Sequence, residues 1–384
     1  MSVRKRSWKT RRGGPKEAWV VDYTDQLGDR HLKTFARKRD ADAYHAQVAV
    51  DVGAGVHAPD SRAITVAEAG ELWIRSREAV DLERSTLVQY RNHLNLHITP
   101  LIGKTKLSAI AVPFVRAFED RLREERSLAM VRKIMASLSS ILSDAQERGL
   151  VAQNAAYRLR AKRQQDSGRQ KRRLQIGVDI PTPAEIRAVI TKLDGRWRPM
   201  LLTAIFTGLR ASELRGLRWS DVDLQQAELH VRQRADHYGK LGRPKSSAGT
   251  RTIPLLPMVV SALREWKLAS PPNGQDLLFP AHSGNPISLT HIVRHGWQPA
   301  QVAAGVVSAQ GRAKYPGLHS LRHFYASWCI NRRADGGLEL PIKVVQGRLG
   351  HGSIQMTADR YGHLFPRGDD SAKLAAAERA FLGS

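Results

Sequence analysis

Residues 158–173, RLRAKRQQDSGRQKRR, carry eight basic residues against one acid. A run of that charge density does not enter an apolar core, so it divides the 384-residue chain into two parts, each needing a core of its own. By default such a run is a solvated linker. Here it joins two halves that are themselves basic, which favours a path along a phosphate backbone.

The remaining composition is ordinary for a globular protein, with 42% hydrophobic and 25% charged residues, and the length suits two or three domains. The balance of charge is not ordinary. Sixty-one Lys and Arg stand against 36 Asp and Glu, a net charge of +25. Residues 1–62 and 63–162 each carry +5, and 163–384 carry +15. A chain that is basic in every segment suits a polyanion that it wraps, and nucleic acid is the commonest one. An Arg-rich proteome is the bland alternative.

Cys329 is the only cysteine, which excludes an intrachain disulfide and a Cys-based metal cluster and fits a reducing compartment. The N-terminus, MSVRKRSWKTRRGG, is basic but is followed by no apolar run of signal-peptide length. Apolar stretches such as LLTAIF at 201–206 are far too short to span a bilayer. The expected location is cytoplasmic, with no membrane partner.

Four regions are predicted. Residues 1–62 form a small module: Trp19, Val21 and Tyr23 alternate at strand period, RHLKTF at 30–35 reads as a second strand, and Ala41, Tyr44, Val48 and Val52 recur at helical spacing. Seven Lys or Arg and no acid precede Glu17, which suits either a DNA-groove reader or a basic tail on a structural cap. Residues 63–162 read as all helix. Thr65 caps the first helix, Ser85 and Thr86 start a second that Pro100 stops, Pro113 opens a third, and a fourth runs from Val131 to a stop at Gly149. The basic linker takes 163–181. From 182 the pattern becomes mixed, opening on the capping box Thr182–Pro183–Ala184–Glu185, with a hairpin over 227–256 and a short amphipathic helix at 369–384. No Gly-rich phosphate loop of the Walker type is present, so nothing points to nucleotide use.

Four segments of this last region carry chemistry. TGLRASEL at 207–214 sets Arg210 after a helix-breaking Gly208. RPKSSAGTRTIPL at 243–255 is turn-rich and places Lys245 at or near a hairpin tip, with Lys240 the weaker choice for that role. LHSLRHFYAS at 318–327 puts His319 and Arg322 three apart, on one helix face. LGHGSIQMTADRYGHLF at 349–365 holds His351 just after a Gly, and Tyr361 further on.

In this order the residues resemble the signature of the tyrosine recombinase (phage integrase) family: Arg, a hairpin Lys, His-x-x-Arg, His or Trp, then Tyr. The resemblance implies a catalytic set of Arg210, Lys245, His319, Arg322 and His351, with Tyr361 as nucleophile. It extends upstream to an arm-type DNA-binding domain at 1–62 and a helical, SAM-like core-binding domain at 63–162, covering nearly the whole chain. The fold it implies is multidomain and mainly α with α+β parts. Departures are few: Ser320 stands where many relatives have Asp, and INRRADGGLELPIKVV is longer and richer in Gly than expected.

The residue types suit the chemistry on their own account. Attack on a phosphodiester builds negative charge on the non-bridging oxygens, and two planar, permanently charged guanidiniums can clamp them. Arg210 and Arg322 fit that task. A Lys with its pKa lowered by nearby Arg can protonate the leaving 5′-oxygen, which is the role of Lys245. His319 can assist removal of the tyrosine proton, and His351 can donate to the phosphate. Glu213 is expected to orient nearby cations, and His323 to pack behind the site. A phenol of pKa about 10 is a poor nucleophile but a workable leaving group, so rejoining needs neither ATP nor metal. No cofactor is expected.

The function implied is cleavage and rejoining of DNA at attachment sites through a 3′-phosphotyrosine, integrating and excising a phage or mobile element. Expected partners are double-stranded DNA at core and arm sites, a homotetramer on synapsed DNA, a host DNA-bending protein and an excisionase. Arg4, Lys5, Arg6, Arg11 and Arg12, with Arg163, Lys171, Arg172 and Arg173 in the linker, are the expected DNA contacts. The terminal helix at 369–384 packs on its own chain or docks on a neighbouring protomer. A chromosome-dimer or transposon resolvase of the same family is the alternative. A type IB topoisomerase would share the chemistry without pairing sites, and an inactive DNA-binding regulator belongs to a different class.

Overall fold

A computed structural model describes residues 1–9, 15–25, 28–53, 63–80, 82–157, 173–365 and 371–383. Arg11, Arg12, Arg163, Lys171 and Arg172 lie outside the described residues. The chain forms two compact units, Met1–Arg169 and Gln170–Ser384.

In the first unit the basic N-terminus is a strand. β1 (Ser2–Lys9) pairs antiparallel with β2 (Pro15–Thr24), and β2 with β3 (Arg30–Phe35). Period-two alternation turns Val21 and Tyr23 of β2 toward helix α1 (Lys38–Gly53), which covers them with Ala41 and Val48. Asp22, between them, faces the other way and takes hydrogen bonds from Arg4 at 3.2 Å and from Arg30 Nε at 2.8 Å.

The helical part begins where the sequence expects it. Thr65 Oγ1 accepts from the Glu68 N–H at 3.3 Å and the Glu68 carboxylate accepts from the Thr65 N–H at 2.7 Å, starting α2 (Val66–Glu78). Pro100 does not stop the next helix. α3 (Arg84–His93) passes into a π turn, Leu94–Ile98, and on into α4 (Thr99–Ile102), which holds Pro100 in its first turn. The Thr99 N–H bonds to the Leu94 carbonyl, one residue further back than in an α-helix. That wider turn absorbs the bond a proline cannot donate, and the chain continues. α5 (Val112–Glu125) and α6 (Leu128–Glu147) complete the bundle around Trp73, Ile98, Phe118, Leu138 and Ile141. Leu138 is wholly buried, so truncating it to Ala costs about 2–5 kcal/mol.

The second unit opens with α7 (Pro183–Ile190), started by the expected capping box at Thr182 and Glu185. α8 (Trp197–Thr207) buries Met200, Leu201, Leu202 and Ile205, so it is apolar nearly all round. α9 (Ala211–Gly216) follows at once. The expected hairpin is present as two pieces. β4 (Val222–Asp223), β5 (Glu228–Val231) and β8 (Arg251–Pro254) form one antiparallel sheet, with Leu229 opposite Ile253. β6 (Arg234–Ala235) and β7 (Leu241–Gly242) form a separate ribbon whose turn is at Asp236–Gly239. Past α10 (Pro257–Ala269) and α11 (Leu289–Ile292), a second π turn at Val293–Trp297 leads into α12 (Gln298–Ala303), which again carries a first-turn proline. α13 (His319–Ile330) is buried along almost its whole length and packs on α8. α14 (Ile342–Leu349), α15 (Ile354–Tyr361) and α16 (Ser371–Leu382) close the chain. The result is mainly helix with small antiparallel sheets, the fold class expected from the sequence. Among the described residues no helix is long and apolar enough to cross a membrane.

Candidate active site

The end of α14 organises the site. A helix leaves its last carbonyls without intrahelical partners and carries partial negative charge there. Here three successive carbonyls each receive an arginine. Arg348 O accepts from Arg251 Nε at 2.8 Å, Leu349 O from Arg322 Nη2 at 2.5 Å, and Gly350 O from Arg210 Nη2 at 2.9 Å. Gly350 ends the helix in the left-handed conformation, at φ +62°. A Cβ there would lie 2.8 Å from Arg251 Nη1 and 2.9 Å from the Ala248 carbonyl, so the close approach of β8 requires glycine. Gly208 does the same for α8: at φ +61° it turns its carbonyl onto Arg322 Nη1 at 2.7 Å, with Tyr325 against its α-carbon.

A single carboxylate links the cations. Glu213 accepts from Arg210 Nη1 at 2.7 Å and from the Arg210 backbone N–H at 2.9 Å. Its oxygens also take Arg251 Nη1 at 3.2 Å and Nη2 at 2.8 Å. Burial by itself would raise the Glu213 carboxyl, but the hydrogen bonds and charge of Arg251, joined by Arg210, outweigh it and hold it below the usual carboxylate range. Arg322 is 2% exposed, and burial, followed by the charge of Arg210, pushes its guanidinium down to about 10, which leaves it charged at neutral pH.

Tyr361 is the last residue of α15 and is 1% exposed. Its hydroxyl lies 2.8 Å from His323 Nδ1, and the His351 ring stacks parallel to the phenol at 6.3 Å between centroids. Burial raises the phenol pKa, while the charges of Arg322, Arg360 and Arg210 pull it down. His351 Nδ1 is bonded to Thr357 Oγ1 at 2.9 Å. Burial and then the arginine charges push His351 down to about 4. His319 faces solvent on one side and is crowded on the other. Desolvation on the crowded side, then the charges of Arg322, Arg360 and Arg210, push it down to about 4. All these imidazoles are therefore neutral near pH 7.

Of the residues singled out in the sequence, Arg210, Arg322, His351 and Tyr361 converge here, and Glu213 bonds two cations as expected. His319 stacks edge-on against His323, 4.5 Å between centroids, and it is His323 that bonds the Tyr361 hydroxyl. Lys245 is exposed in the segment between β7 and β8, beyond the ribbon whose turn precedes Lys240. That segment is pinched at its base, because a Cβ on Gly249 would lie 2.5 Å from Pro244 Cβ. Three members were not singled out as catalytic: Arg251, His323 and Arg360. His323 is one helical turn from His319, a spacing that could have flagged it; Arg251 and Glu213 are 38 positions apart, with no local signal. At the N-terminal sheet, Arg4 pairs with Asp22 and Lys5 with Glu17 at 2.6 Å, while Arg6 and Arg173 are exposed. Among the described residues no group of three or more His, Cys, Asp or Glu could hold a metal ion.

Fold and site define a DNA strand-transferring enzyme of the tyrosine recombinase class. Residues 179–367, just under half of the chain, match the model of the Phage integrase family. It is 25% identical to the "Tyrosine recombinase XerC-like" protein of Caldanaerobacter subterraneus subsp. tengcongensis over 385 residues, 92% of this chain and 94% of that one. With the tyrosine recombinase XerC of Xylella fastidiosa (strain 9a5c) the identity is 35% over 187 residues, 49% of this chain and 52% of that protein. Among solved structures, the Tn1549 transposon integrase in complex with a circular intermediate DNA superposes with a TM-score of 0.64 at 18% identity, over 82% of this chain and 99% of that one. That likeness supports the fold. The chain is thus a site-specific tyrosine recombinase.

Proposed function

We propose that this recombinase integrates and excises a phage or other mobile element, cutting and rejoining double-stranded DNA through a 3′-phosphotyrosine on Tyr361. The observation that carries this reading is the set of guanidiniums anchored on the α14 carbonyls around the buried phenol of Tyr361. Arg210 and Arg322 are already fixed by carbonyl bonds, so they meet a phosphate without reorganising, which is where most of the rate enhancement of such a site originates. Arg210 and Arg322 clamp the non-bridging oxygens. With Nδ1 of His351 engaged by Thr357, Nε2 is the nitrogen it offers the phosphate. As Tyr361 Oη bonds to phosphorus, its proton passes to His319 and the leaving 5′-oxygen takes one from Lys245. Lys245 approaches from its exposed segment when DNA binds.

The three-stranded sheet with its basic β1 supports residues 1–62 as an arm-binding module, 63–162 as the core-binding domain, 163–181 as the linker and 182–384 as the catalytic domain. That N-terminal module favours an integrase over a dimer resolvase. Exposed Leu374 and Phe381 on α16 fit docking onto a neighbouring protomer in a synaptic tetramer. A nicked suicide DNA carrying a candidate core site tests the reading. Wild-type protein should form an SDS-resistant adduct and Tyr361→Phe should not; an adduct with the variant would assign the nucleophile elsewhere.

A further inference from the structure

His323 is bonded on both ring nitrogens, and its two partners differ in kind. Nδ1 lies 2.8 Å from Tyr361 Oη. Nε2 lies 3.4 Å from Arg360 Nη2. A guanidinium has donors only, so the nitrogen facing it must present a lone pair. A neutral imidazole has one lone pair and one N–H, so the proton falls on Nδ1, facing the tyrosine. Burial, the adjacent His319 and the charges of Arg360 and Arg322 keep the ring neutral, with Asp179 the opposing charge.

We propose that His323 is a catalytic residue that donates Nδ1–H to the Tyr361 oxygen, and that Arg360 is the positioning residue that fixes this tautomer. A donor aimed at the phenol oxygen stabilises the charge that develops there as the O–H bond breaks, and again when tyrosine is expelled on rejoining. Ring rotation is opposed by Arg360 on the far side and by the His319 ring 4.5 Å away. Since Nδ1 already carries its proton, it does not accept the phenol's. In the step proposed above, the Oη–H bond breaks, the Oη–P bond forms and the P–O5′ bond breaks. The phenol proton goes to His319, the 5′-oxygen takes one from Lys245, and His323 keeps its own throughout.

The role rests on Tyr361 as nucleophile, so Tyr361→Phe is the control that tests that reading separately. Two substitutions then decide between donor and base. His323→Asn places an amide N–H where Nδ1–H was and has no basic nitrogen, while His323→Ala has neither. With the suicide substrate, the Ala variant should form adduct about a hundredfold more slowly, and the Asn variant should recover most of that loss. If Asn is as slow as Ala while Tyr361→Phe forms no adduct, His323 acts as a base and the proposal is wrong. ¹⁵N spectra of histidine-labelled full-length protein, with His323 assigned by its loss in the Asn variant, read the tautomer directly. Protonated Nδ1 and bare Nε2 at neutral pH are expected; the opposite assignment overturns the proposal, whatever the variants do to folding. Arg360→Gln should leave a mixture of the two tautomers and slow the pH-independent step without altering DNA affinity to the same degree.

Discussion

Asp22 and Glu213 each hold a pair of arginines, and the surroundings make them different devices. Asp22, on the N-terminal sheet, takes Arg4 and Arg30, whose side chains are 56% and 66% exposed. Glu213, in the catalytic unit, takes Arg210 and Arg251, and Arg251 is 6% exposed. Water competes for the first set, so its attraction is screened and its partners can be exchanged for other anions. In the second, the cations are also tied to the α14 carbonyls, and loss of one partner strands a buried charge. A buried carboxylate whose arginines are exposed tunes how much positive charge is offered. A carboxylate under a phosphate site sets where that charge is.

Removing Glu213 tests the difference most severely. Glu213→Ala leaves Arg251 buried without its carboxylate and should destabilise the protein by about 3–5 kcal/mol in a urea titration, together with loss of covalent adduct. An unchanged midpoint would show that the carbonyls alone hold the arginines. Arg251→Lys comes next. It keeps the charge but not the fork that reaches Glu213, Arg348 O and Gly249 O together, so a loss of about 1–3 kcal/mol is expected, with slower adduct formation.

A pH titration sharpens the same point. His319, His323 and His351 have folded pKa values lowered to about 4, about 3 and about 4, below the ordinary 6.5. Between those values the unfolded chain binds more protons than the folded one, so stability is full above pH 6.5 and is lost as pH falls toward 4. Thermal melts from pH 7 to 4.5 should show a falling midpoint, and His351→Gln should flatten the fall. The Glu213 carboxyl, depressed by its arginines, adds a further loss only below its unfolded value of about 4.5.

The smallest effect belongs to the sheet. Asp22→Asn should leave adduct formation on core DNA intact and shift stability little. By releasing Arg4 and Arg30 it should tighten binding to arm-type DNA and steepen its salt dependence by about one unit of slope. An unaltered slope would mean that neither arginine reaches phosphate.

The sequence by itself determined what depends on neighbouring residues. The capping boxes at Thr65 and Thr182 form where their spacing puts them, because a side chain three positions on reaches back to a free N–H. Arg322 lies one turn from His319 because helical periodicity demands it. Glycines after α8 and α14 mark left-handed ends that no other residue adopts cheaply. Proline misled the local reading at residue 100, since whether a helix breaks or slips into a π turn depends on what the continued helix can bury; Ile98 and Ile102 both enter the core. What only the tertiary structure decided lies far apart in the chain. Arg210 meets the Gly350 carbonyl across 140 positions, Arg322 meets Gly208 across 114, and Tyr361 meets His323 across 38. Such bonds leave no periodic trace, because their geometry is set by how α8, α13 and α14 pack, and packing is decided by the buried side chains of the whole unit rather than by any one segment.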